Sequence, residues 1–164
     1  MLQDEPKPAI GLWGLPAAVA LTLGVGVLSA LAGGSGPSPW YDALAKSPLN
    51  PPATVFALVW PMLYGLMGLS LWFLLREPES PLRRKALIWF FIQLAVNAVW
   101  SWVFFDRHWL GLAVIHIAVL GACVIAFMAA ARKISSLAAL INAPYLAWLT
   151  FAFYLALEVW RLNT

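Results

Sequence analysis

The sequence predicts an all-α integral membrane bundle of five transmembrane helices with a long, partly helical first loop. Three observations predict it. The 164 residues are 63% hydrophobic and only 10% charged, with mean hydropathy +0.83, whereas soluble domains carry roughly 25% charged residues. The stretches Pro8–Tyr41, Ser47–Leu75, Ala86–Phe105, His108–Ala131 and Ile134–Leu157 contain no Asp, Glu, Lys or Arg, and each supplies the about 20 apolar residues that cross hydrocarbon. The basic residues between them are uneven: Lys7, Arg76, Arg83, Arg84, Lys85, Arg132 and Lys133 fall on one side of a five-span chain, Lys46, Arg107 and Arg161 on the other. The positive-inside rule then expects the N-terminus in the cytoplasm and residues 34–52 outside. The spans leave little else, so residues 1–164 are expected to form one membrane domain.

The first helix is expected over about 9–33, ending at the Gly33-Gly34-Ser35-Gly36-Pro37 breaker. Its run is too long, and its leader (Asp4, Glu5, Lys7) too acidic, for a signal peptide. Ala20 with Gly24, and Gly26 with Ala30, have the spacing of close helix approach, as do Ala118, Ala122, Ala126 and Ala130 in the fourth helix. In the loop GSGPSPWYDALAKSPLNPP, Ser38 can cap a short helix with Pro39 at its first position, and Asp42 with Lys46 has i,i+4 spacing. Trp40 and Tyr41 on that helix read either as interfacial belt residues or as part of a lid, since loops this long are often functional. The second helix (about 52–75) contains Pro61 and the fifth (about 135–160) Pro144, each expected as an interior kink that widens a cavity. The third and fourth (about 82–105 and 109–131) are joined by the short turn Asp106-Arg107-His108, so they must be antiparallel neighbours.

Soluble-enzyme signatures are missing: there is no Walker loop, HExxH, serine elbow or carboxylate cluster. The single Cys123 excludes a disulfide framework and reads as packing. His108 reads as solvated. His116, intramembrane without a carboxylate at hand, reads as a neutral hydrogen-bonded imidazole rather than a metal ligand, and no metal site is expected. Glu158 can snorkel toward Arg161.

What remains is aromatic and amide. Of the ten Trp, Trp13, Trp72, Trp109 and Trp160 lie near helix ends and read as belt residues; Trp60, Trp100 and Trp148 lie deeper. Gln93, Asn97, Trp100 and Phe104 follow i, i+4, i+7, i+11 and share one helix face. Trp60 and Tyr64 share another, and Pro144, Tyr145, Trp148, Ala152 and Leu155 a third. Two readings stand: the amides bond helix to helix, or they form the polar edge of an aromatic pocket for a flat apolar ligand.

The segments WYDALAKSPLNPP, VFALVWPMLYGLM, QLAVNAVWSWVFF, PYLAWLTFAFYL and VWRLN together resemble the TspO/translocator-protein family, the tryptophan-rich sensory proteins, over about Trp40–Asn163. The resemblance implies a five-helix homodimer in a membrane, here expected to be a bacterial inner membrane. It further implies a cavity beneath the first loop that takes porphyrins such as protoporphyrin IX or haem as ligands rather than cofactors, sterols or benzodiazepine-type ligands in some members, and light-driven porphyrin degradation needing two pocket tryptophans in some bacterial ones. Carried onto matching positions, it implies ligand-binding roles for Tyr41, Trp60, Tyr64, Gln93, Asn97, Trp100, Trp148 and Ala152, with Trp60 and Trp148 the catalytic candidates. Three functions follow: a tetrapyrrole receptor or carrier, a light- and oxygen-dependent porphyrin-degrading enzyme, or a ligand-poor regulator of a partner complex. The sequence departs from the family at Leu49, where a loop tryptophan is usual; at Ala156 and Leu157, where the family has Asn and the sterol-motif Tyr; and at His116, which replaces an acidic residue.

Overall fold

The computed structural model describes residues 10–34, 36 and 38–164. The expected helix start near residue 9, the leader with Asp4, Glu5 and Lys7, and Ser35 and Pro37 of the breaker lie outside the described residues. Helix α1 spans Gly14–Gly33, α2 Pro39–Ala43, α3 Ala53–Arg76, α4 Pro81–Ser101, α5 Leu110–Ala131, α6 Ser136–Leu140 and α7 Ala143–Asn163. Among these residues five helical segments are long and apolar enough to cross a membrane, the last made of α6 and α7 together.

Local chemistry sets the boundaries. Ser38 accepts from Tyr41 N–H at 3.1 Å and starts α2 with Pro39 in its first turn; Ser80 does the same for α4 with Arg83 N–H and Pro81. One π turn, Trp102–Asp106, ends α4, with Arg107 N–H bonded to Trp102 C=O at 2.9 Å. His108 then takes a positive φ of 58° and reverses the chain into α5. Pro61 sits inside a continuous α3.

The fifth span departs from expectation. Pro144 does not kink a long helix; it stands in the first turn of α7, and the helix breaks before it at Ile141 and Asn142. A proline ring clashes with the carbonyl four residues back, here Leu140, so the chain ends α6 at Leu140 and restarts where the missing N–H is not needed. The Asp42–Lys46 pair is also not an ion pair, because α2 stops at Ala43. The ammonium instead donates to the carbonyls of Leu44 (2.9 Å) and Asp42 (3.3 Å) and lies 4.7 Å over the Tyr41 ring.

Around the bundle, α1 packs on both α3 and α4, α4 on α5, and α5 on α7. The α1–α3 approach is made at Gly68, where an added Cβ would stand 2.5 Å from Val19 Cα. Thr22 Oγ1 adds a 2.8 Å bond to the Tyr64 carbonyl, and Ser29 Oγ one of 2.8 Å to Ala98 C=O on α4; such interhelical bonds contribute about 0.6–2 kcal/mol each. Of the two small-residue pairs in α1, Gly26 packs on the Tyr64 ring, whereas Ala20 is exposed and Gly24 faces open space. Trp72, expected in the belt, is buried: its Nε1 donates to Gly11 C=O at 3.2 Å and Arg76 covers its ring.

The buried core runs through Leu63, Met67, Leu71, Phe90, Leu120, Phe127 and Leu149. Outward, Leu28, Leu31, Leu58 and Ile115 are 61–78% exposed. Large apolar side chains spread over the outside of every span match a lipid surround, not water.

Candidate ligand-binding site

The last span is not closely packed on α3 or α4 along its α7 part; its α6 part touches α3, where Ser70 Oγ donates to Ala138 C=O at 2.7 Å. Between α3, α4 and α7 the backbones stand apart, and large side chains fill the space. Tyr64 Oη donates to Asn97 Oδ1 at 2.5 Å, and Asn97 Nδ2 donates to Tyr145 Oη at 2.7 Å. One buried amide thus joins three helices, and Thr22 secures the Tyr64 backbone from α1. Both amide halves of Asn97 are occupied.

Gln93, one turn away on the same face, is fully buried but poorly matched. Its Nε2 reaches Met67 Sδ at 4.0 Å, and its Oε1 accepts nothing among the described residues. The Trp148 indole N–H on α7 is likewise enclosed without an acceptor. Its ring meets Phe56 of α3 edge-on at 5.6 Å and Phe151 at 5.8 Å. Phe56 lies one turn before Trp60, whose ring is 5.9 Å from that of Tyr64. Ala152, half-buried, follows Trp148 by one turn and packs against the same core. A buried polar atom left unbonded costs about 1–3 kcal/mol, and Gln93 Oε1 and Trp148 Nε1 are an unmet acceptor and an unmet donor on two spans that Asn97 and Tyr145 join.

Tyr41 and Trp100 meet at Phe104 beneath the first loop. Trp100 stacks on Phe104 at 5.4 Å, and Phe104 is met edge-on by Trp40 (5.6 Å) and Tyr41 (6.2 Å). Trp40 lies flat on His108 at 3.8 Å, so that imidazole, exposed though it is, has an aromatic partner. His116 Nε2 is bonded to Val96 C=O at 2.8 Å, tying α5 to α4.

The loop is fastened to α7. Ala45 N–H donates to Asn163 Oδ1 (3.0 Å) while Asn163 Nδ2 donates to Ala45 C=O (2.9 Å), and buried Ser47 bonds the Tyr154 hydroxyl at 3.0 Å. Tyr41 Oη reaches Asn50 Oδ1 at 3.4 Å. Leu49, standing where the family usually has a loop tryptophan, is 63% exposed; polar clamps to α7 and the Trp40 contacts hold this loop down. At its outer end Arg161 pairs with Glu158 at 2.9 Å, as expected of a snorkelling carboxylate.

The structure links Trp60 to Tyr64, and Tyr64 through Asn97 to Tyr145, with Gln93 one turn from Asn97 on α4 and Trp148 one turn from Tyr145 on α7, while Tyr41 and Trp100 meet at Phe104 under the first loop. The sequence reading put Tyr145 on the right face but not among the site residues, although its spacing of three from Trp148 marks it. Phe56, four before Trp60, was passed over. Asn163 carries no periodic signal, because its partner lies in the loop.

Five apolar spans around buried aromatics and amides, with the first loop fastened to the last span, define an integral membrane protein. The model of the TspO/MBR family matches residues 18–161, and the chain belongs to that family. It is similar to a tryptophan-rich sensory protein of Cereibacter sphaeroides, 37% identical over 127 residues that cover 77% of this chain and 78% of the relative. It is also similar to protein CrtK of Rhodobacter capsulatus, 34% identical over 84% of this chain and 89% of that one. The human translocator protein is 34% identical over 76% and 75% of the two chains.

Proposed function

We propose that the chain is a membrane receptor or carrier for tetrapyrroles, protoporphyrin IX or haem, held between α3, α4 and α7 beneath the 34–52 loop. The observation that carries this reading is the pair of unmet buried groups, Gln93 Oε1 and Trp148 Nε1, among the aromatic side chains of α3 and α7. A tetrapyrrole offers both partners at its propionate edge: a protonated carboxyl O–H to donate to Gln93 and a carboxyl oxygen to accept from the Trp148 indole. Its flat ring suits edge-on and stacked contact with Trp60, Tyr64 and Trp148. Asn97, already engaged by two phenols, holds the walls in place. The names of the relatives, sensory and translocator proteins, agree with a receptor role. In the same reading the protein works as a homodimer in a bacterial inner membrane with its N-terminus in the cytoplasm. The test is a titration of purified protein with protoporphyrin IX, followed by tryptophan quenching: saturable quenching is expected, weakened in Asn97→Ala and in Trp148→Phe. Quenching that never saturates, or identical curves for the three proteins, overturns the proposal.

A second reading, oxidation of the bound pigment in light, is favoured by the contact between Trp60 and Tyr64. Both rings are oxidisable, and the phenol is hydrogen-bonded to Asn97. Oxygen would be the oxidant: the excited pigment takes an electron from the pair and passes it to O2, the reduced oxygen attacks the ring, and the pigment as it is oxidised restores the pair.

A further inference from the structure

At the end of the bundle away from the lid, α5 stops at Ala131 and the chain turns through Arg132 and Lys133 into the short α6. The break before Pro144 sets α6 apart from α7 and leaves an open trough of about 490 Å³ against the last turns of α5. Its walls are apolar, formed by Ile125, Met128 and Ala129 on α5 with Leu140 and Leu146 across the break, while Arg132 and Ser136 bring the polar groups. Ile125 and Leu140 are 55% and 67% exposed, so the trough opens sideways at membrane depth, where hydrocarbon rather than water is the neighbour. A volume of this size lies within the range of ligand sites.

The charge at this end selects among lipids. Arg132 and Lys133 are exposed and pair with no carboxylate among the described residues. Arg76, Arg84 and Lys85 stand on the same side of the bundle, against Glu77 and Glu79. A second copy presenting this basic end to itself would be repelled, and so would the ammonium of a choline headgroup. Basic grooves between transmembrane helices, with an apolar floor, suit anionic headgroups.

We propose that this trough binds one phospholipid with an anionic headgroup. An acyl chain lies along Ile125, Met128, Ala129 and Leu146, and the phosphate accepts from the Arg132 guanidinium and the Ser136 hydroxyl. Lys133 adds attraction through space. The lipid bridges α5, α6 and α7 at the one break in the fifth span, and it occupies a place separate from the chamber under the lid.

The test counts lipids retained by the full chain. Protein stripped in a neutral detergent is titrated with phosphatidylglycerol and, separately, phosphatidylcholine, and bound lipid is read by native mass spectrometry. One phosphatidylglycerol should be retained per chain at concentrations about tenfold lower than phosphatidylcholine, the scale of one charge-assisted hydrogen bond. Arg132→Gln should erase that preference while some lipid stays bound. Ala129→Phe, at an exposed position, should fill the trough and lower retention of both lipids. Both variants should melt like wild type when lipid-free. Equal retention of the two lipids by wild type, or an undiminished preference in both variants, overturns the proposal. So does a loss of self-association in Ala129→Phe with lipid retention unchanged, which would make the trough a contact between copies.

Discussion

The side-chain amide of Asn97 donates to the Tyr145 hydroxyl across 2.7 Å, spanning from α4 to α7, two helices whose backbones do not pack closely. With Tyr64 donating to the other end of the same amide, the bond makes Asn97 the tie that keeps an open-sided chamber from collapsing or spreading. Asn97→Leu should therefore strand two buried phenols and lower stability by about 1–3 kcal/mol. Tyr145→Phe, which removes one partner, should cost about 0.6–2 kcal/mol. Unfolding in mixed micelles measures both, and an Asn97→Leu protein as stable as wild type would show that the tie carries no weight.

The glycines of the α1–α3 contact make a paired prediction. Gly68→Ala puts a methyl 2.5 Å from the Val19 backbone, which cannot withdraw without moving α1, so destabilisation of about 1–3 kcal/mol is expected. Gly24→Ala meets nothing within 4 Å and should leave the unfolding midpoint of the monomer in place or raise it slightly, since alanine is the better helix former. Equal effects of the two would contradict this packing.

Asn163 holds the loop through both edges of the Ala45 peptide. Asn163→Ala should free that amide, so hydrogen exchange at Ala45 and its neighbours should quicken by about tenfold, a loss of roughly 1.4 kcal/mol of local protection. Exchange in the middle of α5 should not change. A loop that exchanges at the wild-type rate would mean the clamp is incidental.

Illumination separates binding from turnover. If the Trp60–Tyr64 pair feeds electrons to bound pigment, the Soret band of protoporphyrin IX should bleach faster with protein than in detergent alone. The Trp60→Phe, Trp148→Phe double variant should slow it to the free-pigment rate. Bleaching no faster than for free pigment leaves the receptor reading as the one that stands.

The spans were legible because lipid demands long uncharged runs, and the faces of α3, α4 and α7 because helical spacing alone brings Gln93, Asn97, Trp60 and Trp148 inward. The break at Asn142 was not. Both an interior kink and a helix start satisfy Pro144, and the break goes with buried Ala138, whose carbonyl accepts from Ser70 of α3 and from Asn142. Trp72 was read as a belt residue from its position near a helix end, yet its indole N–H found the Gly11 carbonyl, a partner distant in sequence. The lid clamps were invisible for the same reason: Asn163 and Ala45 are 118 residues apart. Spacing reveals faces, and only the fold reveals which faces meet.

Gln93 Oε1 is an unmet buried acceptor, and under the proposed function a tetrapyrrole supplies its partner. Replacing it should therefore have opposite effects on stability and on binding. Dissociation constants for protoporphyrin IX, read from the Soret shift of wild type and Gln93→Leu, test this beside the unfolding midpoints of the ligand-free proteins. Gln93→Leu should be at least as stable as wild type without ligand, because a buried unmet acceptor is gone, and should bind about 5- to 20-fold more weakly, the worth of one buried hydrogen bond. Unchanged affinity, with or without a change in stability, would contradict it.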